Sequence, residues 1–250
     1  EYVNISYAPS LTSFVQFAQK ISNTNKLNSA LLVSANPNIQ STTNYVSNLF
    51  ALRSDYGSLD YVDDEVADIK KTLLKSKLFQ KKYEVKSFNS KNISEGSFKS
   101  EPLIDYKYIH IAAHGVIDND DPQYSGLLLG SGEHDQNDGI LQAHEIFPRN
   151  IDADIVTLSS CFSGFGEIDH NEGNLGIYRS FMIAGARSVI ISLWNVEDES
   201  TSILFSKFYE FLKNGNSKAE SLRLAKIYLK NETKFSHPFY WAPFILMGES

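Results

Sequence analysis

Five short, almost unbroken apolar runs constrain the fold of this chain more than any other feature. They are "ALLVSANP" (30–37), "YKYIHIAA" (106–113), "DIVTLSS" (154–160), "RSVIISLW" (187–194) and "WAPFILMG" (241–248). A strand with one face in water alternates apolar and polar residues. These runs mostly do not, so both faces of each are expected to be covered. "YEVKSFN" (83–89) is a further strand of the alternating type, and "GLLLG" (126–130) a short strand or ribbon.

Helical periodicity separates the runs. "SLTSFVQFAQKI" places Leu11, Phe14, Val15, Phe17 and Ala18 at helical spacing behind a Ser10 cap. "DDEVADIKKTLL" carries Val66, Ile69, Leu73 and Leu74 on one face, with Asp63 or Asp64 expected to cap it. Further helices are expected in "ISEGSFKSEPLIDY", ending near Pro102, in "LQAHEIFPRN", stopped before Pro148, and in "NLGIYRSFMIAGA". "ESTSILFSKFYEFLKNG" and "SKAESLRLAKIYLKN" read as two amphipathic helices. Residues 38–60 and 162–173 show no periodicity and read as exposed segments. Strands alternating with helices predict an α/β fold on a mostly parallel sheet. A single domain over 1–250 is the simplest account.

The formal net charge of −7 argues against non-specific nucleic-acid binding, which needs a basic face. No apolar run reaches the roughly 18 residues of a membrane span, and no signal peptide is visible, so a cytoplasmic location is expected. The single cysteine, Cys161, forbids a disulfide within the chain and suits a reducing compartment. The chain opens on Glu1 rather than Met, the start expected of a fragment or a processed chain.

In an open α/β sheet, ligands bind beyond the carboxyl ends of the strands. Two consecutive core runs end there in reactive side chains. "YIHIAA" leads to His114 and "DIVTLSS" to Cys161, 47 positions on. In caspases the histidine lies about 50 residues upstream of the cysteine. If the two strands are neighbours, His114 can take the thiol proton of Cys161. The backbone N–H groups of Gly115 and Cys161 can then form an oxyanion hole.

At these residues the sequence resembles the CHAT family of caspase-like cysteine peptidases, in the clan of caspases, separases, gingipains and legumain. "HIAAHG" resembles the histidine motif and "DIVTLSSCFSGFG" the nucleophile motif. "NEGNLGIYRSFMIAGARSVIISLWNVEDEST" resembles the helix, strand and Trp-bearing loop that follow, and "HPFYWAPFILMG" the terminal strand. "ISYAPSL" and "LLVSANP" resemble the family's opening segments, so the likeness spans about residues 3–248 in the expected order. Ser160 before the cysteine, and Phe162 and Ser163 between it and Gly164, depart from the usual pattern, as does segment 38–60. The resemblance implies a three-layer sandwich with a six-stranded sheet whose last strand is antiparallel. It also implies endopeptidase activity on a protein substrate without a cofactor, and a defence or signalling setting. A TPR-like helical region or activator is the implied partner.

By position in the caspase-like fold, Ser159, Trp194, Asn195 and Asp198 would line the substrate pocket. The acidic run Glu197–Glu199 either attracts a basic P1 residue or caps and complements the next helix. Arg187 opens its strand at the far end, so aspartate specificity is not expected. His110 lies four residues before His114, on the same face of a continuous strand, as core or support rather than a metal ligand. His134, His144 and His170 are expected at the surface and His237 in a packed turn. Asp118, Asp120 and Asp121 read as loop carboxylates rather than a calcium site. Phe239, Tyr240 and Trp241 read as a plug under the last strand. Two other classes compete with the peptidase: a catalytically silent interaction module, and a redox sensor built on Cys161, which lacks a second cysteine in the chain.

Overall fold

The computed structural model describes residues 3–7, 28–37, 59–75, 83–118, 121–131, 137–159 and 173–250, with the backbone alone at 173–176. The expected helix over 11–18, most of segment 38–60, and the loop that contains Cys161 lie outside the described residues.

The apolar runs form one sheet. Its strands are β1 (Ser29–Ser34), β2 (Glu84–Phe88), β3 (Tyr108–Ala112), β7 (Ile155–Ser159), β8 (Ser188–Ser192) and β9 (Phe244–Gly248), in the order β2-β1-β3-β7-β8-β9. All neighbours are parallel except β9, which runs antiparallel to β8. The fold-class expectation is therefore met. The described helices are α1 (Val62–Leu74), α2 (Glu95–Lys99), α3 (Ala143–Ile146), α4 (Gly173–Ala184), α5 (Asp198–Lys213) and α6 (Lys218–Glu232).

Alternation along each strand divides the core into two layers. Ala30, Leu32, Tyr108, Ile155 and Ile190 face α1, α5 and α6, meeting Ile69, Leu73, Phe205, Phe208, Leu222 and Leu229. Leu31, Val33, Ile109, Ile111, Val156, Leu158 and Val189 face the other way, onto Phe98, Ile146, Ile177 and Phe181. Each buried Val, Leu, Ile or Phe among them contributes about 1.5–3 kcal/mol, which is why these runs carry so few polar residues. At the far edge Tyr7 extends the sheet: its N–H donates to Leu246 O at 2.8 Å, and its carbonyl accepts from Gly248 N–H at 2.7 Å.

Several local expectations give way to tertiary contacts. Neither Asp63 nor Asp64 caps α1. The cap position is Tyr61, without a side-chain bond, and Asp63 instead accepts from Ser34 Oγ (2.5 Å) and from Ser90 N–H and Oγ. Neither Asp198 nor Glu199 caps α5. Both lie in its first turn, behind Glu197. Leu59, at the end of a segment expected to be exposed, is buried against Ala112 and Val62.

The largest departure falls at Ala113. The run through His114 is not one strand: β3 stops at Ala112, and His114–Val116 forms β4 of a separate ribbon. There β4 pairs antiparallel with β5 (Gly126–Leu128), and β5 with β6 (Ile140–Gln142). The "GLLLG" run supplies the partner that draws the chain out of the main sheet. Gly126 permits the tight packing, since a Cβ there would stand 2.6 Å from both Ile140 Cγ2 and Leu141 O. His110 and His114 therefore belong to different sheets, and the same-face expectation does not hold.

Candidate active site

β3 and β7 are neighbours, in a register running from Tyr108 opposite Ile155 to Ala112 opposite Ser159. One residue further on, Ala113 N–H still donates to Ser159 O, at 3.3 Å. His114 follows Ala112 by two positions, and Cys161 follows Ser159 by two. In the sequence, His114 and Cys161 each stand two positions beyond residues that are paired across adjacent strands. Cys161 itself lies outside the described residues.

His114 sits at the start of β4 opposite Leu128 and is only 4% exposed. That burial disfavours the charged ring and pushes its pKa down to about 4. At neutral pH the imidazole is uncharged and can accept a proton. Gly115 lies beside it in the ribbon, opposite Leu127.

Ser159 ends β7 at 6% exposure, and its Oγ donates to Glu65 Oε2 at 3.1 Å. Glu65 comes from α1 and is 0% exposed, as is His110 on β3. His110 Nε2 lies 2.8 Å from Glu65 Oε1, outside the alignment of a hydrogen bond. Its Nδ1 has no hydrogen-bond partner among the described residues. The ring meets Phe205 and Tyr209 edge-on, with centroids at 5.4 and 5.6 Å. Next to it in register, Thr157 shares a 3.0 Å hydrogen bond with the Tyr209 hydroxyl.

Sequence reasoning missed Glu65. The signal was present, because Glu65 falls on the stripe of Ile69 and Leu73, at successive i, i+4 positions. A carboxylate on an apolar stripe is a buried charge in need of partners.

Beyond β8, Trp194 is half-buried and Asn195 exposed. Trp194 Nε1 donates to Phe239 O at 3.0 Å, and the two rings lie 6.3 Å apart. Asp198 Oδ2 accepts from Tyr61 N–H at 2.6 Å. Burial, then the charges of Glu65 and Asp60, push the Asp198 pKa up to about 6. Glu199 pairs with Lys234 at 2.7 Å. The acidic run is therefore partly engaged by the protein itself.

The remaining candidates are scattered. His144 and His237 are exposed; His144 Nδ1 lies 3.2 Å from Gln123 O, and His237 Nδ1 accepts from Phe239 N–H at 3.2 Å. Asp118 and Asp121 carboxylates accept backbone N–H groups of their own turn. His134, His170 and Asp120 lie outside the described residues. Among the described residues no group of three or more His, Cys, Asp or Glu side chains is placed to hold a metal ion. Among them, too, no helix is long and apolar enough to cross a membrane.

Residues 1–249 match the CHAT domain, and the chain belongs to that family. Its fold is the caspase-like one. Gingipain R (RgpB) of Porphyromonas gingivalis, described as an Arg-specific cysteine proteinase, superposes with a TM-score of 0.53 at 8% identity, covering 94% of this chain and 50% of that one. The separase of the Saccharomyces cerevisiae separase–securin complex gives 0.55 at 12% identity, covering 98% and 14%. Tetratricopeptide repeat protein 28 of Mus musculus is 31% identical over 109 residues, and its Homo sapiens counterpart 29%. That match covers 44% of this chain and 4% of those relatives' length.

Proposed function

We propose that this chain is a cysteine endopeptidase working through a His114–Cys161 dyad. The observation that supports the reading is the pairing of Ala112 with Ser159, the residues that His114 and Cys161 each follow by two positions in the sequence. The neutral His114 ring takes the Cys161 thiol proton, and the thiolate attacks the substrate carbonyl carbon. The N–H groups of Gly115 and Cys161 receive the developing oxyanion. The imidazolium then protonates the leaving amine as the C–N bond breaks. Water, deprotonated by His114, hydrolyses the thioester and restores the thiol.

Trp194, Asn195 and Asp198 are proposed as the substrate rim. The Asp198 carboxylate supports a basic P1 residue, as does the likeness to a peptidase described as Arg-specific. The proposed substrate is a specific partner protein, in a regulated defence or signalling system. A TPR-like region is the proposed neighbour or activator, supported by the match to tetratricopeptide repeat protein 28.

A second reading, a caspase-like module that binds without cutting, is favoured by the burial of His114 and its weakened basicity. One experiment separates the two. Peptide libraries and candidate partner proteins are incubated with the parent, Cys161→Ala and His114→Ala, with and without the TPR-like partner, and new N-termini are sequenced. The peptidase reading expects cleavage by the parent alone. Equal cleavage by Cys161→Ala, or none by the parent with every partner that it binds, overturns it.

A further inference from the structure

The least economical feature of the core is the carboxylate of Glu65. A fully buried carboxylate costs several kcal/mol, and an apolar side chain would fill its place more cheaply. Its polar contacts give it a distinctive place. One oxygen accepts the hydroxyl of Ser159, two residues before Cys161; the other lies against the imidazole of His110, four residues before His114. The two partners stand on adjacent strands, β7 and β3. The carboxylate arrives from a third element, α1, so it is not part of the ladder that already joins the strands.

We infer that Glu65 is a positioning residue of the proposed peptidase site, holding the carboxyl ends of β3 and β7 at one fixed offset through His110 and Ser159. The inference rests on the cysteine-peptidase reading and deepens it. Backbone pairing sets the register of the two strands and among the described residues runs to Ala113 and Ser159. Glu65 contacts the last paired residue of β7, Ser159, and on β3 the residue two before the last, His110. Ser159, which sequence position suggested as a pocket wall, thereby acquires a role behind the site: its hydroxyl points at α1 and not at solvent. A displacement of about 1 Å in a reacting group can cost on the order of a hundredfold in rate.

A purely structural network would show its loss in stability, and a positioning network in chemistry. The test uses Glu65→Gln and the double variant Glu65→Met/His110→Leu, which replaces the buried polar contact by apolar volume and is expected to keep or raise Tm. For both, kcat is expected to fall about tenfold or more, with KM within about twofold. Cys161 is the chain's sole thiol, so its rate of alkylation by iodoacetamide against pH reports the His114–thiol pairing without any peptide substrate. The parent is expected to be alkylated faster than either variant across about pH 6–8, because a correctly placed neutral His114 takes the thiol proton, and the variants to fall towards the rate of a free thiol. A double variant that folds with the parent's kcat and alkylation profile overturns the positioning role. So does a parent thiol that reacts no faster than a free thiol. A parent that never cleaves sinks the peptidase reading alone, because the alkylation profiles still decide the position of the thiol.

Discussion

Ala112 and Ser159 face each other at the ends of β3 and β7, and among the described residues the hydrogen bond from Ala113 N–H to the Ser159 carbonyl is the last backbone tie between the two strands. Everything proposed for the site depends on what holds the chain beyond that tie. On one side it is the β4–β5–β6 ribbon, and on the other the contacts of Ser159.

Gly126→Ala tests the ribbon. The added methyl would meet Ile140 Cγ2 and the Leu141 carbonyl at 2.6 Å, so β5 must move away from β6. The expected cost is about 1–3 kcal/mol, read as a lower Tm. His114 on β4 is paired with Leu128, which shares β5 with Gly126. Cleavage should therefore fall further than the loss of folded protein explains, as measured by the activity of the protein remaining folded at a temperature below both transitions.

Acid should weaken the fold through His114. Its folded pKa lies at about 4, below the ordinary 6.5, so the unfolded chain binds the proton more readily between those values. The stabilisation from the neutral buried ring is complete above about 6.5 and is lost as pH falls towards 4, amounting to about 3 kcal/mol. Asp198, raised to about 6, and Glu95, raised to about 7, act in the opposite sense, because each gains its proton more readily in the folded state. Urea titrations of the parent and His114→Gln across pH 4–8 isolate the histidine. The parent should lose more stability on acidification, and parallel curves would contradict the assignment.

Lys99 lies between two carboxylates, Glu95 and Glu145, and Glu95 also accepts Gly139 N–H at 2.7 Å, just before β6. Lys99→Met leaves Glu95, 1% exposed, without its cation. A loss of about 2–3 kcal/mol is expected at pH 8, between the values for an exposed and a fully buried pair. At pH 5 the loss should shrink, because Glu95, pushed up to about 7 chiefly by burial, is then mostly protonated. Chemical denaturation at the two pH values reads the difference directly.

Asp198→Asn tests the rim. Removing the half-buried charge should lower kcat/KM for Arg or Lys at P1 about tenfold or more, and leave neutral P1 residues nearly unchanged. A matched panel of fluorogenic peptides measures both. Equal loss across the panel would make Asp198 a support for α5 and Tyr61, and not a reader of the substrate.

The central sheet was legible because parallel strands covered on both faces leave a mark in the local sequence, as "RSVIISLW" does for β8. The strand change at Ala113 was not. Nothing within "YIHIAAHG" distinguishes residues that pair with Ile155–Ser159 from residues that pair with Gly126–Leu128, since both are apolar partners distant along the chain. The caps of α1 and α5 failed for a related reason. Asp63 and Asp198 have the chemistry of capping residues, but Ser34, Ser90 and Tyr61 compete for their oxygens in the folded molecule. His114 could be singled out from its place after an apolar run; Glu65 required knowing which helix lies over which strand end.

The break at Ala113 also bears on how such a domain can lose its function. The proposed base stands in one hydrogen-bonded ribbon, while the proposed nucleophile follows a strand of the other sheet. Damage to the ribbon can disarm the molecule without dismantling the scaffold. Inheritance of the fold and inheritance of the chemistry are then separate events, and inert copies with an intact sheet are an accessible outcome of ordinary mutation.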